Sequence, residues 1–398
     1  MIAPSSGRPS PLATSTLAQV GRLLRHLTSS LLGHPDLATR IPPLFIWGPP
    51  GVGKSAMVKE VAQDLGIGFI DIRLAQREPV DIKGLPVPGP DGLRWLVASD
   101  WPRDAASKGI ILFDELTACD RSIQVAAYEM LLDRRLGDTY RLPDGWYLCA
   151  AGNRHSDRAA AVAMSSALAN RFCHIEVAAD IESWGRWAVE TGIHADVLAF
   201  LRFQPERLFA MTGDTERGWP SPRAWERTSV ALDLARDGNL AAEDLNCLIA
   251  GLVGQGTAAE FIAFRRIMAE LPEVSSMLAR QTPVLIPERA DQRHALCSAA
   301  AWHTLRPQAW RAVLEGLVDL VLQLPVDFAT MLLTDVMISR NAETEFIAAL
   351  ANHPRLKTWR QRNGKNMQEA ANFHRPAIVP IGPMTAKGHA DTVVRNAR

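Results

Sequence analysis

The sequence predicts an α/β fold, in which a mostly parallel sheet is covered by helices on both faces and followed by a long helical region. Between residues 44 and 177, short apolar runs alternate with segments of helical periodicity, which is typical of parallel strands joined by crossover helices. A Gly-rich loop separates the first apolar run from the first helical segment. Beyond residue 181 the apolar residues recur at helical spacing, and no run there resembles a strand.

The apolar runs and the helical segments predict the elements of this core in order. The predicted strands are Leu44–Trp47, Phe69–Leu74, Ile110–Phe113, Trp146–Ala151 and Phe172–Val177. The predicted helices are Ser15–Leu32, Ser55–Leu65, Arg121–Leu132 and Ala159–Leu168. We therefore predict a leader and helix over residues 1–40, an α/β core with hairpin inserts over 41–179, a helical lid over 180–282, a helical C-terminal region over 283–373 and a flexible tail over 374–398.

Composition excludes a strong electrostatic attraction to polyanions. The 398 residues include 43 Lys and Arg and 43 Asp and Glu, so no net charge draws the chain to nucleic acid or to an anionic membrane. Five scattered cysteines without a C-x-x-C pair argue against a disulfide framework or a zinc site and favour a reducing compartment. Neither a signal peptide nor a membrane span is expected, and we predict a cytoplasmic location.

The loop after the first strand matches the pattern G-x-x-x-x-G-K-[ST] over Gly48–Ser55. Glycines allow backbone N–H groups to wrap a phosphate chain, and the following helix N-terminus adds a partial positive charge. Lys54 is expected to bridge the β- and γ-phosphates, and the Ser55 hydroxyl to ligate Mg²⁺. The expected nucleotide-binding residues are Gly48, Pro49, Pro50, Gly51, Val52, Gly53, Lys54, Ser55 and Ala56.

Two further strand ends carry polar side chains suited to phosphoryl transfer. The dense apolar run 109–113 indicates a strand buried on both faces that ends in Asp114 and Glu115. Asp114 is the expected second ligand of Mg²⁺, and Glu115 the general base that polarises water. Asn153 follows the strand ending at Ala151, and it reaches the γ-phosphate if that strand lies between the other two.

Together these motifs resemble those of the MoxR branch of AAA+ ATPases over residues 44 to 278. The motifs that carry the resemblance are Gly48–Ser55, Leu112–Leu116, Ala151–Arg154, Ala169–Phe172 and Pro220–Ala224. The resemblance implies ATP and Mg²⁺ as cofactors, a P-loop AAA+ core with strand order 5-1-4-3-2, an all-α lid and assembly into a hexameric ring. The helical segment before the core and the roughly 120 residues after the lid exceed this minimal pattern.

Three residue roles are implied by the resemblance. Asn153 matches the sensor-1 position, Arg171 the arginine finger that reaches the neighbouring subunit's nucleotide, and Arg223 the sensor-2 arginine of the lid, which adds it to the expected ATP ligands. A finger cation offsets charge on the transferring phosphoryl group, an effect of about 10³–10⁵ in rate. The sequence does not separate Arg171 from Arg154 and Arg158 as the residue that acts in trans.

The resemblance favours a ring-forming, MgATP-hydrolysing remodeller of a protein partner, since such ATPases generally act with proteins that carry a von Willebrand factor A domain. Two other classes share the same core. One is a nucleic-acid motor, which the zero net charge disfavours because phosphate contacts supply most of such affinity. The other is a nucleotide-gated assembly scaffold, which has no need of the base at Glu115. We expect no nucleic acid and no membrane as partners.

The turn signals in the core predict two inserted hairpins, over Asp81–Ser99 and Arg135–Asp144. In ring ATPases such loops face the pore or the partner, and the candidate contact residues are Lys83, Leu85 and Trp95. The remaining aromatic and histidine side chains are interpreted as structural. They are His155 and His174 near the core and Trp184, Trp187, Trp219 and Trp225 in the lid.

Overall fold

The computed structural model describes residues 14–89, 92–154, 162, 164–211, 217–238, 240–269, 273–304, 310–338 and 344–373. The strands in this part of the chain are β1 (Thr14–Ser15), β2 (Leu44–Trp47), β3 (Gly68–Arg73), β4 (Leu85–Gly89), β5 (Gly92–Leu96), β6 (Gly109–Asp114), β7 (Arg135–Leu136), β8 (Tyr140–Arg141), β9 (Trp146–Gly152) and β10 (Cys173–Val177).

Six strands form one parallel sheet in the order β1-β10-β2-β9-β6-β3. If β2, β3, β6, β9 and β10 are counted as strands one to five, their order is 5-1-4-3-2, as predicted. The central strands β6 and β9 are almost entirely buried, because helices cover both faces of the sheet. The predicted fold class, a P-loop α/β core followed by helices, is confirmed.

The helices are α1 (Leu17–Gly33), α2 (Lys54–Asp64), α3 (Pro79–Lys83), α4 (Arg121–Asp133), α5 (Ser166–Ala169), α6 (Ile181–Thr191), α7 (Ala195–Phe203), α8 (Pro222–Gly238), α9 (Ala242–Val253), α10 (Gln255–Met268), α11 (Val274–Leu278), α12 (Ala290–Thr304), α13 (Trp310–Gln323), α14 (Val326–Ile338), α15 (Thr344–Asn352) and α16 (Pro354–Phe373). In the described residues beyond Ile181 every regular element is a helix, in agreement with the sequence pattern.

The N-terminal segment corrects one prediction. Ser15 was expected inside the first helix, but it pairs with Val177 in β1, a two-residue edge strand. The helix begins only at Leu17, because the Thr16 hydroxyl accepts a hydrogen bond from the Gln19 N–H (3.2 Å) while the Gln19 carboxamide oxygen accepts one from the Thr16 N–H (2.8 Å).

The helix predicted over Ala159–Leu168 is found only in its last three residues within the described part of the chain. Residues 155–161 and 163 lie outside the described part, and 162, 164 and 165 are not helical. The helix that forms, α5, has four residues and begins after Ser165, whose hydroxyl accepts a hydrogen bond from the Leu168 N–H (3.3 Å). Smaller differences occur at two strand ends. Leu74 lies in a 3₁₀ turn rather than in β3, and β10 begins one residue after Phe172.

Both predicted inserts form antiparallel hairpins. β4 pairs with β5, so that Leu85 is opposite Leu96 and Pro86 is opposite Trp95. β7 pairs with β8 in a much shorter hairpin. The first hairpin presents unusually many large apolar side chains to solvent, which are Leu85, Leu93, Trp95 and Leu96.

The helical half contains two apolar clusters that share an interface. One cluster contains residues of α6 to α10, and the other contains residues of α11 to α16. Across the interface α7 packs on α12, and the Arg202 guanidinium forms a bidentate ion pair with the Asp335 carboxylate on α14. The Asp335 side chain is only 4% exposed, so this pair is buried. The lid and the C-terminal helices therefore form a continuous packed unit.

Two further observations concern the described part of the chain. None of its helices combines the length and apolar character that a membrane crossing demands. No cluster of three or more His, Cys, Asp or Glu side chains suited to a metal occurs there, and all five cysteines are unpaired.

Candidate functional site

The loop Gly48–Gly53, called the P-loop here, connects the end of β2 to the start of α2. Gly51 and Gly53 have φ angles of +78° and +107°, which side chains other than glycine rarely adopt. The Gly48 N–H donates to the Gly152 carbonyl (3.2 Å), which anchors the loop to the adjacent strand β9. The loop is therefore fixed at the carboxyl edge of the sheet, where ligands bind in open parallel sheets.

Lys54 connects the P-loop to Asn153, the residue directly after β9. Its ammonium group is buried and donates to the Gly48 carbonyl (2.7 Å), to the Pro49 carbonyl (3.1 Å) and to Asn153 Oδ1 (3.2 Å). These three acceptors hold the ammonium group between the P-loop backbone and Asn153. Lys54 and Asn153, predicted from separate motifs, thus lie within hydrogen-bonding distance of each other.

The two carboxylates after β6 have different environments. The Asp114 carboxylate accepts hydrogen bonds from the Ser55 hydroxyl and from the Glu115 N–H (2.8 Å). Glu115 has a φ angle of +59°, a left-handed conformation that is uncommon outside glycine and is found preferentially at functional sites. The predicted metal ligands Ser55 and Asp114 are therefore in contact, and the strained turn positions Glu115 beside them.

Asn153 is held by a residue that the sequence analysis did not select. β9 lies between β2 and β6, as the interpretation of Asn153 required. The buried Thr117 hydroxyl accepts a hydrogen bond from the Asn153 N–H (3.0 Å) and donates one to the Asn153 carbonyl (3.2 Å). A Cβ atom on Gly152 would lie 2.7 Å from this hydroxyl, so the glycine permits the contact. In the sequence, the Gly-Asn pair after the apolar strand was the signal that selected Asn153. Thr117 itself is an ordinary turn residue in the sequence.

The lid reaches the site through the N-terminus of α8. The Arg223 N–H donates to the Gly51 carbonyl (3.3 Å), and the Ser221 hydroxyl accepts from the Ala224 N–H (3.2 Å) to cap the helix. A cleft lies between the P-loop and this helix. Its lining includes Pro50, Gly51, Trp219, Ser221, Arg223 and Arg227. The predicted residue Arg223 is therefore adjacent to the P-loop, and its side chain is exposed.

The tryptophans of the lid do not share one role. Trp225 is fully buried, donates its indole N–H to the Arg207 carbonyl (2.8 Å) and packs with the apolar cluster, as do Trp184 and Trp187. Trp219 was also interpreted as core, but it is half-buried, contacts Phe209 edge to face and lines the cleft beside the P-loop. Its interpretation as a core residue is corrected accordingly.

The candidate arginines differ in their surroundings. Arg154 is mostly buried, and its guanidinium lies 3.5 Å from the Glu176 carboxylate of the same chain. Arg171 is exposed and makes a long hydrogen bond (3.5 Å) to the Ala167 carbonyl one turn earlier. Arg158 and His155 lie outside the described residues. Of the two finger candidates that lie within the described residues, Arg154 and Arg171, Arg171 is therefore the one that presents its charge to solvent.

One perturbed carboxyl lies beside the site. Asp71 on β3 has a pKa raised above its usual value, first because it is partly buried and second because of the negative charge of Asp114. Its Oδ1 atom is buried and has no hydrogen-bond partner. Asp71 therefore ionises less readily than a solvated carboxyl group, because burial and the charge of Asp114 both disfavour its negative form.

Comparison with known proteins finds similarity in the segment that contains this site. Residues 43–172 match the AAA domain (dynein-related subfamily). Midasin from Giardia intestinalis is 27% identical over 173 residues, a stretch that is 39% of this chain and 4% of the midasin sequence. The chain thus corresponds to a small fraction of that relative's length.

Two solved structures give weak overall similarity. NtrX from Brucella abortus in complex with ADP is 16% identical, with a TM-score of 0.34 over 90% of this chain and 70% of NtrX. A variant of RuvB from Thermotoga maritima is 15% identical, with a TM-score of 0.33 over 77% of this chain and 91% of RuvB. The family match shows that residues 43–172, which include the P-loop, Asp114 and Asn153, are similar to the AAA domain of the dynein-related subfamily.

Proposed function

We propose that the chain binds and hydrolyses MgATP at the carboxyl edge of the sheet. The observation that carries this proposal is the convergence of three strand ends. Lys54 contacts Asn153, and Ser55 contacts Asp114, which directly precedes Glu115. A cation, a pair of oxygen ligands and a carboxylate base are the groups that phosphoryl transfer to water requires.

The donor set of this site fits Mg²⁺. Ser55 and Asp114 offer a hydroxyl and a carboxylate oxygen, and hard oxygen ligands are those that Mg²⁺ prefers. When bound together with ATP, the ion offsets negative charge on the phosphates. The same hydroxyl and carboxylate are already paired with each other, so the site is preorganised with respect to the positions of both ligands.

Each remaining side chain has a distinct task in this proposal. Lys54 holds the phosphate chain, and its release from the carbonyls of Gly48 and Pro49 frees its donors for phosphate oxygens. Glu115 accepts a proton from the attacking water. Asn153 orients that water next to the γ-phosphate, and Arg223 approaches the nucleotide from the lid through the cleft beside Gly51.

We further propose that the chain is MoxR-like and assembles into a ring, for which a hexamer is the expected size. The exposed guanidinium of Arg171 supports this proposal, because it is available to a nucleotide on a neighbouring subunit. Arg154 is engaged within its own chain by Glu176 and is therefore the weaker candidate for a finger in trans.

The proposed activity is the remodelling of a protein partner in the cytoplasm, with a von Willebrand factor A domain protein as the expected class. The first hairpin supports a protein client, because Leu93 is 75% exposed and Trp95 is 43% exposed. Pro86 and Pro88 alternate along β4 and have no N–H to donate, which disfavours extension of the hairpin by a further strand. Client contact would then occur through side chains. Zero net charge disfavours nucleic acid as the substrate.

The first experiment compares Glu115→Gln with wild type in ATP turnover and in native mass with and without MgATP. We expect the variant to bind ATP, to lose turnover and to form an ATP-dependent ring. Glu206→Gln, an exposed change in the lid, is the matched control and should behave as wild type. Undiminished turnover in Glu115→Gln would refute the assigned base, and a monomer in every nucleotide state would refute the ring.

The client class needs a separate test. ATP-dependent association with a von Willebrand factor A domain protein of the same organism should occur with wild type and fail with Lys54→Ala. Turnover that rises with single- or double-stranded DNA or with RNA at low salt would instead favour the nucleic-acid motor. Normal remodelling of the partner by Glu115→Gln would favour a scaffold in which hydrolysis is incidental.

A further inference from the structure

The imidazole of His174 on β10 connects two segments that the sequence analysis treated separately. The Trp47 indole N–H donates to His174 Nδ1 (2.9 Å), and the two rings are stacked with centroids 6.0 Å apart. His174 Nε2 lies 2.7 Å from the Ala169 carbonyl oxygen. Trp47 is the residue directly before the P-loop, and Ala169 lies two residues before Arg171.

These contacts define the tautomer of the neutral ring. Because Nδ1 accepts the indole hydrogen bond, it carries no proton, and the proton of a neutral imidazole is on Nε2. Nε2 therefore donates to the Ala169 carbonyl. Trp47 selects the tautomer that lets His174 hold Ala169, so the three groups form a directed chain of hydrogen bonds.

The held carbonyl belongs to the segment that presents Arg171. Ala169 is the last residue of α5, and its carbonyl accepts a longer hydrogen bond from the Phe172 N–H (3.3 Å) in addition to the one from the imidazole. The Arg171 N–H bonds to the Leu168 carbonyl (3.1 Å), and the following Phe172 packs edge to face on Phe45 of β2. A four-residue helix has little stability of its own. The direction of Arg171 therefore depends on these few contacts to the sheet.

We propose that His174 is a positioning residue for Arg171, which it orients through the Ala169 carbonyl. This inference rests on the proposed function, in which Arg171 completes the nucleotide site of a neighbouring subunit. It also joins two sites within one chain, because Trp47 ends the strand that carries the P-loop. The same imidazole therefore contacts the strand that carries the P-loop and the segment that carries Arg171. The P-loop would hold the nucleotide of its own subunit, and Arg171 would reach the nucleotide of a neighbouring subunit.

The test uses two amides that each retain one half of the bridge. Nε2 is one bond farther from the backbone than Nδ1, so the glutamine amide nitrogen reaches the Ala169 carbonyl, whereas asparagine places an oxygen near Nδ1 and does not reach it. We expect His174→Gln to keep kcat close to wild type. We expect His174→Asn to lower kcat by about 10- to 100-fold, the effect of a displaced catalytic group, with an unchanged Kd for ATP.

A double-mutant cycle separates positioning from a general loss of fold. If His174 acts through Arg171, His174→Asn should lower kcat in the wild-type background and cause no further loss in Arg171→Ala. Mixing His174→Asn with Lys54→Ala should restore turnover, because the second protein supplies an intact Arg171 to the intact P-loop of the first. Trp47→Phe, which removes the donor that selects the tautomer, should lower kcat in the same direction if His174→Asn does not fold.

The outcomes distinguish this inference from the proposed function beneath it. No effect of Arg171→Ala on turnover would remove the arginine finger itself and the proposed ring chemistry with it. If Arg171→Ala lowers kcat while His174→Asn retains it, or lowers it further in the Arg171→Ala background, only the positioning role of His174 is overturned. Equal loss in His174→Gln and His174→Asn would also overturn it.

Discussion

Replacement of Thr117 by valine tests whether the buried hydroxyl between β6 and β9 controls the catalytic geometry. Thr117 is 2% exposed, and valine matches its shape without its hydroxyl. The change removes the hydrogen bonds from the Asn153 N–H (3.0 Å) and to the Asn153 carbonyl (3.2 Å). An orphaned buried donor costs about 1–3 kcal/mol, so we expect the free energy of unfolding to fall by that amount.

The same change should slow hydrolysis. Freed from Thr117, the backbone of Asn153 shifts its side chain relative to Lys54, and a displacement of about 1 Å costs about 100-fold in rate. Steady-state turnover at saturating ATP and denaturant unfolding would be measured on the same preparations. Thr117→Ser keeps the hydroxyl and should retain turnover.

Thr304→Val is the matched control. Thr304 is 1% exposed and donates to the Ala300 carbonyl (2.7 Å) within α12, far along the chain from the nucleotide site. It should reduce stability without changing kcat. If Thr117→Val reduced stability but kept wild-type turnover, the hydroxyl would serve the fold alone and the reasoning would be refuted.

Three other changes test the electrostatics and the surface. Asp71→Asn should stabilise the protein at neutral pH in denaturant unfolding. Burial and then the charge of Asp114 raise the folded pKa of Asp71, so the penalty of its ionised form grows as pH rises from the unfolded to the folded pKa. Arg202→Met should lower the unfolding free energy by about 3–5 kcal/mol in the same assay, since Asp335 is left buried and unpaired. Leu93→Ser should change it by less than about 0.5 kcal/mol, because the side chain is 75% exposed.

Each of these predictions has a contradicting result. A stabilisation by Asp71→Asn that persists unchanged at acid pH would exclude ionisation as its cause, and the fully exposed Asp138 offers a neutral comparison. The pair Arg202→Met with Asp335→Leu should recover most of the loss, and failure to do so would show that packing dominates there. A large loss of stability in Leu93→Ser would mean that the hairpin is covered in solution.

The parallel core was predictable because its signals are local and dense. β2, β6 and β9 are apolar runs buried on both faces. The loop Gly48–Gly53 contains glycines at positions whose backbone conformation other residues rarely adopt, and this requirement is visible in the sequence. The site residues after these strands then follow, since the carboxyl ends of parallel strands meet at one edge.

The features that were missed depend on distant partners. β1 has two residues and forms only by pairing with β10, so no pattern in Thr14–Ser15 predicts a strand there. Thr117, Trp219 and His174 acquire their positions from β9, the P-loop cleft and Trp47 respectively. In the sequence these three residues look like ordinary core or turn residues. Their place beside the candidate site becomes visible only in the tertiary contacts.

The packing around β2 limits how the molecule can be divided. The family match ends at residue 172, yet β10 begins at Cys173 and pairs along the whole of β2. α1 also lies outside the match. It packs on α2 in an apolar cluster that includes Val58 and Val61 of α2. A fragment of residues 43–172 would leave β2 as an unpaired apolar edge strand and would uncover the face of α2 that packs on α1, and both changes promote aggregation. The smallest part of the chain that can fold alone is therefore larger than the segment matched by the family, and it begins near β1.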